Sequence, residues 1–93
     1  MSFKLQRIDI GGSIMLVAEG ELGATAAQTI GRALGHEAKP CVIDVSRVRR
    51  FDDLAVPELS RILRRSSARI RGLGQHWQRL FRYYVDEPDQ PAA

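Results

Sequence analysis

Ninety-three residues make one domain, and a chain this short buries only about 60–65% of its unfolded surface. The core is therefore modest, and a deep, enclosed active site is not expected. At 44% hydrophobic, 27% charged and a net charge of +3, the composition is that of an ordinary globular domain, and the lone Cys41 excludes an internal disulfide or a Cys-x-x-Cys zinc site.

The chain opens on "FKLQRID", an imperfect alternation of Phe3, Leu5 and Arg7 that predicts a strand. "IGGS", residues 10–13, is a turn, because paired glycines supply the positive φ angles of a tight hairpin. "IMLVA", residues 14–18, is an unbroken apolar run that suits a strand covered on both faces. Ala24, Ala27, Ile30, Ala33 and Leu34 then recur at helical spacing, which predicts a helix over 24–34 with Gly35 as its C-cap. "CVIDV", residues 41–45, reads as a third strand. "VRRFDD" then reads as the turn into a second helix carrying Val56, Leu59, Ile62 and Leu63 on its apolar stripe. Pro57 fits the first turn of that helix, where its missing N–H costs little. "RIRGLG" is a short, weak strand. Trp77, Leu80, Phe81 and Tyr84 share one face of a third helix over 75–85, with Tyr83 expected at the rim. "DEPDQPAA" reads as a disordered polar tail, so the domain is expected to span 1–85 and the tail 86–93.

The predicted order is β-β-α-β-α-β-α. This is a single small α/β domain with a mixed four-stranded sheet packed against helices. The hairpin is antiparallel, and strand–helix–strand units make the later neighbours parallel. Sites in such sheets form outside the carboxyl ends of the strands. That edge would gather Glu21, Asp52, Asp53, Gln75 and His76.

No stretch reaches the ~20 apolar residues of a membrane span, and "MSFKLQRIDI" lacks the layout of a signal peptide, so the expected location is the cytoplasm. Charge is distributed unevenly. Only Lys4, Arg7, Arg32 and Lys39 are basic before residue 47, and ten arginines follow. That asymmetry suits either an acidic partner or a solvated surface.

The adjacent acids Asp52 and Asp53 admit three readings: a cap for the second helix, an acid pair for catalysis or metal binding with His76 or Glu21, or a regulatory position. Capping is the reading that residue type and place favour most. His36 sits past a helix end, His76 opens a helix, and Cys41 starts a buried strand, so each has an ordinary structural role. No Ser-His-Asp or Cys-His spacing appears, and neither "IGGS" nor "GLG" matches a phosphate-binding loop. No cofactor or metal is expected, and the protein is not expected to be an enzyme.

Three segments carry a resemblance. "GELGATAAQTIGRAL" is similar to the segment after strand two in STAS domains, the family of bacterial anti-sigma-factor antagonists; Gly20, Glu21 and Leu22 match, and Gly23 replaces the family's Asp. Val45, Ser46, Val48, Phe51 and Asp52 resemble the family's strand-to-helix segment. "GLGQHWQRLFRYY" resembles its last strand and helix. The resemblance covers residues 3–85 and implies the same element order.

It also implies a switch. In the family the Ser directly after the motif Asp is commonly phosphorylated by a partner kinase that is itself the anti-sigma factor. Here that position is Asp53, with Leu54 in place of a second Ser and Ala55 in place of a Gly. An aspartate carries one negative charge, against ~1.5–2 for phosphoserine. Asp53 then either mimics the phosphorylated state or is only a cap.

The resemblance places a partner-binding surface on Arg50, Phe51, Asp52, Asp53, Leu54, Ala55 and Val56, with Gly23 and Ala24 beside it. The implied partner is a kinase-type anti-sigma factor. The alternative implied by the same family is an accessory subunit of a membrane lipid-transport complex, held against an ATPase subunit. Nucleic acid and membrane insertion are not expected, and a homodimer is left open.

Overall fold

The computed structural model describes residues 2–86, with side chains through residue 82. Seven elements follow in the expected order: β1 (Phe3–Ile10), β2 (Ser13–Leu22), α1 (Ala24–Gly35), β3 (Cys41–Phe51), α2 (Ala55–Arg65), β4 (Arg69–Arg71) and α3 (Gln75–Asp86). The strands lie in the order β1-β2-β3-β4. β1 runs antiparallel to β2, and β3 is parallel to both β2 and β4. The mixed sheet packed against helices is thus the predicted one. Residues 87–93 and the side chains of Tyr83 and Tyr84 lie outside the described part, so the expectations for the tail and for those two rings do too.

One face of the sheet makes the core. Ile14, Leu16, Ala18 and Leu22 of β2 and Cys41, Ile43 and Val45 of β3 meet Ala27, Ile30 and Leu34 of α1, Val56, Leu59 and Leu63 of α2, and Phe81 of α3. Each Val, Leu, Ile or Phe side chain buried this way contributes about 1.5–3 kcal/mol. The other face carries the row Ile8, Met15 and Val42, none of which joins that cluster. The apolar run of β2 is therefore not covered on both faces by helices. Val17 is nonetheless only 9% exposed, and Met15 is half-buried.

Local details depart from the sequence reading in three places. Of the paired hairpin glycines only Gly11 takes a positive φ, 61°. Gly35 is the last residue of α1, not its C-cap; His36 caps the helix with a φ of −100° and donates its N–H to the Ala33 carbonyl at 3.3 Å, while the Glu37 N–H goes to the Leu34 carbonyl at 3.1 Å. β2 and β3 run well past their apolar cores, to Leu22 and Phe51.

β3 continues beside β2 to Phe51 through two bulges. Val17 pairs with Asp44 but Glu19 with Arg47, and Gly20 pairs with Val48 but Glu21 with Arg50. At each break β3 spends one more residue than β2. The extra residues let Val45, Val48 and Phe51 all stay on the core side while arginines fill the gaps. "RVRRF" is strand, and the turn shrinks to Asp52, Asp53 and Leu54.

Candidate functional site

The site forms where β2 and β3 end together. The backbone N–H of Asp52 donates to the Leu22 carbonyl at 3.0 Å, which ties the exit of β3 to the exit of β2. A Cβ built on Gly23 would stand 4.0 Å from the Asp52 Cβ, so the start of α1 lies against the turn. Arg50 reaches across to Glu21, with nitrogen and oxygen 3.6 Å apart. An open concavity of about 580 Å³ lies here, lined in part by Phe3, Glu21, Gly23, Thr25, Arg50 and Asp52.

The two aspartates divide. Asp52 Oδ1 accepts the N–H of Leu54 at 3.0 Å, and the Asp52 carbonyl accepts the N–H of Ala55 at 2.9 Å. It therefore closes an Asx turn that feeds the first turn of α2. The N-cap position itself is Leu54, whose side chain has nothing to accept with. The expected N-cap role is thus corrected: Asp52 acts one step earlier, through the turn, and Asp53 makes no hydrogen bond or ion pair among the described residues. Asp53 and Leu54 are both exposed, Leu54 to 68%.

Ala55 and Val56 are 0% and 1% exposed because they begin the buried stripe of α2, so they shape the surface from below. Phe51 is half-buried; its ring lies 5.0 Å from that of Trp77 and 6.0 Å from that of Phe81. Arg50, Asp52, Asp53 and Leu54 remain outward, with Gly23 and Ala24 partly exposed beside them.

Gln75 and His76 do not join the concavity. His76 packs edge-on against Trp77 at 4.9 Å. Among the described residues no three of His, Cys, Asp and Glu converge where a metal ion could sit. Cys41 is buried, and that burial pushes its thiol above the ordinary range.

Sequence reasoning missed Asp44. It stands inside the apolar run "VIDV" and faces away from the core, yet it is only 8% exposed. Its carboxylate accepts the Ser46 N–H at 2.9 Å and the Arg71 Nε at 3.1 Å, which fastens β4 to β3. A charge in the middle of a buried strand was the available signal, since such a group is kept only with partners. The Ser46 side-chain and backbone hydrogen bonds, then Arg71, hold the Asp44 carboxyl below 3.8, against an opposing push from burial.

A folded-state value below the unfolded one means that the native form binds this proton less readily. The resulting stability is full above the ordinary aspartate value and is lost as pH falls through the lowered one. On acidification below about pH 4, the melting temperature of the parent is expected to fall more steeply than that of Asp44→Asn. Parallel pH curves for the two proteins would remove Asp44 from the account.

No family model matches the chain, and no curated protein matches it. Solved structures do match. A structure of Mglu is 18% identical, with a TM-score of 0.68 over 75% of this chain and 20% of that one. Mglu in its native form is 15% identical, with a TM-score of 0.63 over 70% and 22%. The anti-sigma factor antagonist SpoIIAA in its unphosphorylated form is 16% identical, with a TM-score of 0.56 over 88% and 83%. The chain thus spans about a fifth of Mglu and most of SpoIIAA. These likenesses are of fold. The domain resembles the STAS fold of SpoIIAA in strand order, helices and sheet. No helix among the described residues is long and apolar enough to cross a membrane.

Proposed function

We propose that this chain is a non-enzymatic, STAS-like protein-interaction module, a diverged anti-sigma-factor antagonist or partner-switching regulator acting in the cytoplasm. One observation carries the reading: Leu54, a large apolar side chain, stands 68% exposed at the exit of β3, with the unpaired carboxylate of Asp53 beside it. An exposed apolar anchor next to a fixed charge is what a protein partner reads. The likeness of fold to SpoIIAA, an anti-sigma factor antagonist, supports a protein partner, and the partner proposed is a kinase-type anti-sigma factor.

Asp53 replaces the phosphorylatable serine in this reading. It lies two residues before α2, where the helix N-terminus favours an anion, and it carries its charge permanently. A serine kinase finds no hydroxyl at this position. The module is therefore fixed in one state rather than switched.

The test is capture from the native host. The immobilised domain is expected to retain an ATP-binding anti-sigma kinase, and Asp53→Ser is expected to gain phosphate from that kinase. Retention of a transport ATPase instead would move the module to a lipid-transport complex. Capture of neither, together with no phosphate on Asp53→Ser, would sink the reading.

A further inference from the structure

Beyond Asp44 the outer edge of β3 has no strand beside it among the described residues. β4 pairs only with Val42, Ile43 and Asp44, whereas β3 continues to Phe51. The Ser46 N–H is taken by the Asp44 carboxylate, and Gly72 closes directly on Ser46. From Arg47 to Phe51 this edge receives no backbone hydrogen bond from β4, from the segment after it or from α3, among the described residues. Arg47, Arg49 and Arg50 are exposed along it. Only Arg50 has a carboxylate partner, Glu21.

An unpaired edge is a template for another strand, and native sheets normally cover or blunt it. Here the stretch is left open, lined with cations, and runs directly into the turn at Asp52. We propose that this edge of β3, from Arg47 to Phe51, accepts an extended acidic segment of a partner protein as an added strand. The main chain of the edge pairs with the main chain of the segment, and the arginines hold its carboxylates. The bulge that puts an extra residue between Val48 and Arg50 leaves Arg49 out of register with β2, free to serve the added strand.

A protein segment fits better than nucleic acid. The edge presents unpaired backbone N–H and C=O groups, which the main chain of a polypeptide can pair with as a ladder and a sugar–phosphate backbone, with no N–H donors, cannot. The aromatic ring at this edge, Phe51, is half-buried against Trp77 and Phe81 and offers no free stacking surface. The proposal does not depend on the partner-switching reading, which rests on Leu54 and Asp53.

The test titrates the isotope-labelled domain with a synthetic acetylated peptide alternating Glu and Thr. Backbone amide signals of residues 47–51 are expected to shift and to gain protection from exchange. The same peptide N-methylated at alternate residues is expected to lose at least tenfold in affinity. Arg47→Glu/Arg49→Glu, with melting temperature retained, is expected to lose at least tenfold as well, whereas Gln28→Arg, on the exposed side of α1, is expected to bind the peptide unchanged. Equal affinity for the N-methylated peptide would overturn the proposal, because charge alone would then explain binding. No binding, or tighter binding of oligouridylate at the same residues, would overturn it too. The peptide comparison uses the unaltered chain, so it decides the matter even were the double variant to unfold.

Discussion

Gly20→Ala is expected to lower the stability of this domain by about 2–4 kcal/mol. Gly20 holds a φ of 102°, a conformation that costs an L side chain about 1–3 kcal/mol. There is no room for the methyl group either. A Cβ on Gly20 would land on the Ser2 carbonyl oxygen, which also accepts the N–H of Glu21 at 3.1 Å. Gly20 pairs with Phe3, so the start of β1 would have to leave the sheet or β2 would have to bend. Urea unfolding at constant m-value reads the loss directly. Gly12→Ala is the control: it has ordinary φ and nothing within 4 Å of the added carbon, and is expected to stay within ~0.5 kcal/mol of the parent. Equal midpoints for Gly20→Ala and the parent would refute the close approach.

Leu54→Arg is expected to do the opposite kind of damage. The side chain is 68% exposed and absent from the core cluster, so stability should stay within ~0.5 kcal/mol. Affinity for the captured partner should fall by at least about 30-fold, the loss of one ~2 kcal/mol anchor. Calorimetric titration of the partner, beside thermal melts of both proteins, separates the two effects. Gln28→Arg on the exposed side of α1 adds the same charge away from the turn and should bind like the parent. If Leu54→Arg binds like the parent as well, the partner does not use this turn.

What could be read in the sequence follows from where periodicity survives. The core-side positions of β2 fall at 14, 16, 18 and 22 within an unbroken apolar run, and those of α3 at 77, 80 and 81, so the first is legible as a strand by its run and the second as a helix by its spacing. The core-side residues of β3 fall at 41, 43, 45, 48 and 51. The step changes from two to three at the bulges, which erases the strand signal just where the arginines begin. The same bulges hid the open edge. For the site, residue type and motif order pointed to the right turn, but they could not separate Asp52 from Asp53. That distinction is a matter of which N–H groups the folded backbone presents. Nor could they show that Ala55 and Val56 face inward, because a helix start gives too few positions to fix its phase.

The shortness of β4 divides the domain mechanically. Three residue pairs and one ion pair, Asp44 to Arg71, hold this strand in the sheet. β1, β2 and β3 are joined by far longer ladders. β4 is thus the strand most weakly held in the sheet, and the first expected to detach while the hairpin, α1 and β3 stay folded. Such an opening would lengthen the bare edge of β3 toward Val42. Local unfolding at one margin and strand capture at the same margin would then draw on one equilibrium. Acid, which protonates Asp44, pushes that equilibrium toward the open form.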